Sequence, residues 1–218
     1  MRVRRVREKV GRHRLRRVML PRGYVLAGGR SRRFGSEKAR AVLRGRPLIL
    51  HAADLLATIC GDVTVVTAVD RGFEDLDLRT IFDEVEDRGP LGGLHAALAD
   101  AGSGLVAVTA CDFVGGDPTW FETLMGAWRN EIGTRGHGGA RGKPAGAVAF
   151  RDEQRWHPLC AVYSTELLDE VRRRLEAGVL SMQALLDEVG VAVTVPAGFE
   201  RAKSIDTREA LADYRDHE

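Results

Sequence analysis

Short apolar runs alternate along the chain with segments whose apolar residues recur at helical spacing. Residues 24–27, 63–67, 79–82 and 105–110 are brief and rich in apolar or β-branched side chains, which predicts buried strands. Segments 47–59, 91–100 and 120–129 predict helices, the first with Pro47 at a first-turn position that tolerates its missing N–H. This alternation predicts a mostly parallel sheet with helices on both faces. Such sheets bind ligands outside the carboxyl ends of their strands, at a topological switch point. Residues 133–144 are glycine-rich and cationic, and read as a mobile loop within the domain. Beyond them the pattern predicts a β pair at 145–151 and 159–163 and helices at 165–177 and 182–188. A strand at 191–195 and a last helix from Arg208 complete it. With no internal repeat and one apolar core, the expectation is a single Rossmann-like α/β domain.

Composition narrows the class. The 218 residues are 44% hydrophobic and 29% charged, the balance of a soluble globular protein. No apolar run approaches the roughly 18 residues that cross a bilayer. The basic start is not followed by the apolar stretch of a secretory signal. Cys60, Cys111 and Cys160 are odd in number and far apart, which argues against disulfides or a zinc site and for a reducing cytoplasm. The net charge of +2 conceals an asymmetry, because residues 1–22 carry ten Lys/Arg against one acid. The expected division is a basic, disordered extension at 1–22 and a domain at 23–218. Met19 stands just before the first strand, where an alternative start would leave the domain whole. A tether for RNA or a membrane surface is the competing reading of the arm.

Candidate chemistry begins directly after the first strand, in LAGGRSRRFGSEKA at 26–39. It has no GxGxxG, and Ser36 and Glu37 stand where a P-loop needs Gly-Lys-Ser/Thr. The physics of a phosphate seat is nevertheless present. Gly28 and Gly29 can take φ > 0 and let backbone N–H groups approach phosphate oxygens. Lys38 offers a mobile point charge and Arg32 or Arg33 a forked donor. The bland reading is a tight turn followed by solvated basic residues. Asp112 follows the strand at 105–110, where one carboxylate suits Mg²⁺ held together with substrate phosphates. Its bland reading is a helix cap, although Asp117 and Thr119 lie closer to the next helix. A second glycine turn, RGPLGGL at 88–94 with Gly92 and Gly93, either offers backbone groups to a base edge or simply opens a helix.

These segments, with HPLCAVY at 157–163 and SIDTREAL at 204–211, resemble the molybdenum cofactor guanylyltransferases of the nucleotidyltransferase superfamily. The resemblance runs in order from about residue 23 to 215. It implies a nucleotide-diphospho-sugar transferase-like fold, GTP as donor, molybdopterin or its molybdenum form as acceptor, and Mg²⁺ as cofactor. Transient contact with cofactor-delivery proteins is implied as well, and neither membrane nor nucleic acid is expected. By the resemblance Leu26, Ala27 and Gly28 contact the nucleotide, Lys38 its phosphates and Asp83 the guanosine, while Asp112 holds the metal. Thr67 stands where an asparagine is expected. Phe34 and Glu37 replace a usual methionine and aspartate, and Phe113 and Val114 follow Asp112 without the common proline. Ser204, Ile205 and Asp206 stand where Asn-x-Asn is frequent, in a segment associated with the second substrate.

The implied reaction needs neither protein nucleophile nor general base, since the attacking phosphate is already ionised at neutral pH. His95 is expected to pack on its helix and His157 to serve structure or a substrate loop. Trp120, Trp128 and Trp156 read as core or surface aromatics, with Trp156 alone near a plausible pterin site. Three alternatives share parts of this pattern. They are cytidylyl transfer to the same pterin, nucleotidyl transfer to another phosphorylated acceptor, and a GTP sensor that releases no pyrophosphate.

Overall fold

The computed structural model describes residues 20–28, 38–68, 72–83, 88–135 and 146–216. The strand-like runs assemble into one seven-stranded sheet of order β10-β8-β9-β6-β1-β4-β5. Its members are β1 (Arg22–Leu26), β4 (Val63–Ala68), β5 (Arg79–Asp83), β6 (Leu105–Ala110), β8 (Ala147–Arg151), β9 (Trp156–Ser164) and β10 (Gly190–Thr194). β9 alone runs antiparallel, against both β6 and β8. The remaining pairs in this sheet are parallel. Arg22, placed in the extension by its sequence, opens β1 in register with Val106.

Both faces are covered, which is why the central strands are apolar without alternation. Helices α1 (Leu48–Ala57) and α3 (Thr119–Arg135) pack on one face, with Val25, Val65, Ile49, Leu56, Phe121 and Leu124 in a common cluster. On the other face, α2 (Gly89–Ala101), α4 (Leu168–Glu176) and α5 (Met182–Val189) bury Leu91, Leu94, Leu98 and Val171 against Tyr24, Val66 and Val108. Each fully buried leucine contributes roughly 2 kcal/mol. Helix α3 continues to Arg135, past the end at 129 that the glycine-rich sequence suggests. The rest of that glycine-rich stretch lies outside the described residues. The segment expected as one helix at 165–177 begins as a 3₁₀ turn, Thr165–Leu167, before α4.

Two small ribbons escape sequence reading. β2 (Val42–Leu43) and β3 (Arg46–Pro47) form a hairpin ahead of α1. β7 (Phe113–Val114) pairs antiparallel with β11 (Lys203–Ser204), shortly before the last helix, α6 (Arg208–Asp216). Among the described residues no helix is long and apolar enough to cross a membrane.

Candidate active site

The chain leaves β1 with β4 on one side and β6 on the other, so the switch point lies at the carboxyl ends of β1 and β6. Three segments meet there. Lys38 opens a 3₁₀ turn (Lys38–Arg40), Asp112 follows β6, and Ser204 and Asp206 arrive with β11. The β7–β11 ribbon makes this meeting possible, and the Ile205 N–H donates to the Asp112 carbonyl at 3.0 Å. The Lys38 ammonium pairs with Asp112 Oδ2 and donates to Asp206 Oδ1 at 2.7 Å. Ser204 Oγ donates to the same Asp112 oxygen at 2.6 Å. Burial pulls the Lys38 pKa down, but its hydrogen bonds to Asp112 and Asp206 and their negative charge more than offset this. The ammonium is therefore held above its ordinary value.

A second group of residues lies toward the β5 edge. Asp83 ends β5, and its Oδ2 is 2.5 Å from where a Cβ on Gly92 would sit. A Cβ on Gly93 would stand 3.3 Å from the Leu26 side chain. The two adjacent glycines thus let the first turns of α2 approach Leu26 and Asp83 together. Ala27 is fixed by its N–H donating to the Val66 carbonyl at 2.8 Å. Gly28 keeps an ordinary negative-side backbone, and no described atom lies within 4 Å of the place a Cβ would take. Gly28 therefore does not use the positive φ that its lack of a side chain permits. Thr67 is fully buried with its hydroxyl unpartnered among the described residues. His95 Nε2 is likewise buried without a partner. Burial first, then the Arg172 charge, hold its imidazole below the ordinary value, against the pull of Asp83. Gly29, Arg32, Arg33, Phe34 and Glu37 lie outside the described residues.

On the β8–β9 side, His157 Nε2 lies 2.8 Å from Asp152 Oδ2, and its ring meets Phe199 edge-on at 4.6 Å. Trp156 is buried, with Nε1 donating to Asp187 at 2.8 Å and the Arg151 guanidinium over its ring. It is a packed core residue rather than an open platform for a pterin. Trp120 and Trp128 are core residues too.

Among the described residues no cluster of three or more His, Cys, Asp or Glu could hold a metal unaided. Asp112 and Asp206 nevertheless converge on a single cationic atom, Lys38 Nζ. Two carboxylates so placed fit Mg²⁺, which takes its remaining ligands from water and substrate phosphates. In the sequence Asp206 ends the Ser204–Asp206 segment, where its carboxylate leaves both metal and acceptor binding open.

The model of the MobA-like NTP transferase domain matches residues 23–192. The molybdenum cofactor guanylyltransferase of Pseudomonas aeruginosa is 30% identical over 198 residues, 88% of this chain and 93% of that protein. The probable molybdenum cofactor guanylyltransferase of Opitutus terrae is 36% identical over 165 residues, 74% of this chain and 75% of that one. Among solved structures, molybdopterin-guanine dinucleotide biosynthesis protein A from Archaeoglobus fulgidus superposes with a TM-score of 0.69 at 23% identity. That match covers 89% of this chain and 97% of the other, and speaks to the fold.

Proposed function

The chain belongs to the MobA-like NTP transferase family and is a nucleotidyltransferase; from that premise we propose that it transfers GMP from GTP to the terminal phosphate of molybdopterin, or of its molybdenum form, releasing pyrophosphate. The observation that carries this reading is the convergence of Lys38, Asp112 and Asp206 on one point, with Asp83 and Gly92 three strand spacings away. That interval, roughly 14 Å at about 4.8 Å per strand, suits a nucleoside triphosphate laid across the strand ends.

In this reading Leu26, Ala27 and Gly28 bed the nucleoside. Asp83 accepts from a guanine N–H or a ribose hydroxyl. Lys38, with Arg32 or Arg33, holds the β- and γ-phosphates as charge-assisted partners. An ionised oxygen of the acceptor phosphate attacks the α-phosphorus in line, the bond to the bridging oxygen breaks, and pyrophosphate leaves. The protein's part is positioning and charge neutralisation. Asp112 and Asp206 hold Mg²⁺, which when bound supplies positive charge against the phosphoryl oxygens and the leaving group. Buried cysteines outside any disulfide, such as Cys60 and Cys160, accord with a cytoplasmic setting. Residues 1–19 are assigned no part in the reaction.

The test is pyrophosphate release from each of the four nucleoside triphosphates with Mg²⁺, with and without molybdopterin. Release that requires both GTP and molybdopterin is expected. Better turnover with CTP would move the chain to cytidylyl transfer. GTP binding without pyrophosphate release would make it a sensor.

A further inference from the structure

Lys38 places its own ammonium where two carboxylates gather a cation. We infer that it is an exchangeable counter-ion: it neutralises Asp112 and Asp206 in the nucleotide-free protein, competes with divalent cations for them, and moves to the phosphates when nucleotide and metal bind together. The phosphate end of this exchange rests on the proposed function; the competition for the carboxylates does not.

The geometry supports exchange rather than a permanent structural pair. The side chains of Lys38 and Asp112 are each 12% exposed, whereas Asp206 is 65% exposed, so one wall of the pair opens to solvent. Asp112 Oδ2 already accepts from Ser204 and remains held when the ammonium leaves. The backbone that carries Lys38 is pinned nearby. Two residues on, Arg40 grips Asp75 through two nitrogens at 2.7 and 2.8 Å and the Gly72 carbonyl at 2.8 Å. Between them Ala39 is buried. The stem of Lys38 can therefore swing while its turn stays in place. A compact charge on four methylenes suits that movement better than a planar guanidinium. Without the ammonium, two carboxylates and a hydroxyl would face each other at a partly sheltered site, an arrangement that attracts a hard divalent cation.

The experiment measures Mn²⁺ binding to the nucleotide-free, full-length protein by electron paramagnetic resonance and by thermal shift. Lys38→Met keeps the stem and removes the charge. It should bind Mn²⁺ roughly tenfold or more tightly than wild type, because a like charge has left the site. Its melting temperature should also rise further on Mn²⁺ addition. In Lys38→Met/Asp206→Asn the gain should disappear. Lys38→Gln serves if the methionine variant does not fold, and variants that fold only with Mn²⁺ would support the exchange directly. A folded Lys38 variant with wild-type Mn²⁺ affinity would overturn it, as would a gain that survives Asp206→Asn. Variants that stay unfolded with or without Mn²⁺ would show Lys38 to be a fixed structural partner. Loss of the proposed function would instead appear as wild-type protein that releases no pyrophosphate from GTP, with the Mn²⁺ comparison unaffected.

Discussion

Asp83 and Gly92 are fitted to one another, with the carboxylate oxygen 2.5 Å from the space a Cβ on Gly92 would fill. Gly92→Ala should therefore push the Asp83 side chain aside without breaking the fold. Alanine in a helix is favoured over glycine by up to about 1 kcal/mol, which offsets the local crowding. We expect a melting temperature within a few degrees of wild type and roughly tenfold weaker GTP binding, read by calorimetry. Unchanged affinity would remove Asp83 from the nucleoside site.

The legible parts of this molecule were those with strong local signals. The run at 105–110 is apolar except for the β-branched Thr109 and became β6 with the same ends, since a strand buried on both faces needs no alternation. Asp112 and the Gly92–Gly93 turn were legible because strand ends and helix starts are where α/β sheets place ligands. The β7–β11 ribbon was not, because its two-residue strands lie some ninety positions apart and tertiary packing alone sets their register. With it went the convergence of Ser204 and Asp206 on Asp112. The β2–β3 hairpin turns on Arg44 and Gly45, both at positive φ. Gly45 could have signalled it, but Arg44 is an unusual residue for such a turn. Gly28 can take a positive φ but does not, because a glycine's freedom in a sequence does not say which conformation the chain uses.

Ser204→Ala removes the hydroxyl that donates to Asp112 at 2.6 Å. A sheltered carboxylate loses one of its donors, which costs about 1–2 kcal/mol. Thermal denaturation should show a fall of several degrees, with turnover reduced only a few-fold because the charge on Asp112 stays. An unchanged melting temperature would mean that water replaces the hydroxyl at no cost.

Asp100 ties the far end of α2 to the sheet, accepting from both terminal nitrogens of Arg79 at 2.7 Å and from the Tyr24 hydroxyl at 2.8 Å. The Arg79 hydrogen bonds, reinforced by Tyr24, outweigh burial and hold its carboxyl below the ordinary value. A depressed folded-state pKa contributes stability that is fully present above the unfolded value near 4 and is lost as pH falls through the folded one. Asp100→Asn should cost roughly 1–2 kcal/mol at pH 7 in urea denaturation. The two stability curves should approach each other below pH 4. Parallel curves down to pH 2 would show that the ionised carboxylate contributes nothing.

Deleting residues 1–18 should leave folding and turnover nearly intact, since β1 begins at Arg22 and its hydrogen-bonded register with β6 starts there. A large drop in melting temperature or kcat of the truncated protein would make the arm part of the domain.

Asp112 and Asp206 should differ in what their loss costs, and the difference follows from how each is held. Asp112 is sheltered, carries the Ser204 hydrogen bond, and sits between β6 and the β7–β11 ribbon, so its position is fixed before any ligand arrives. Asp206 has a largely exposed side chain whose described contact is Lys38. Water or a mobile neighbour can replace part of what an exposed carboxylate supplies, because its charge is screened. Asp112→Asn keeps the shape and a hydrogen-bond acceptor but loses the charge that faces the cation. It should fold normally by circular dichroism and lose turnover by roughly a hundredfold or more, if several kcal/mol of transition-state stabilisation depend on that charge. Asp206→Asn should lose roughly tenfold or less, and raised Mg²⁺ or Mn²⁺ should restore more of its activity than of the Asp112 variant's. Steady-state pyrophosphate release across a Mg²⁺ titration separates the two. Equal losses would place the two carboxylates on the same footing, and an active, folded Asp112→Asn protein would end the assignment of Asp112 to the metal.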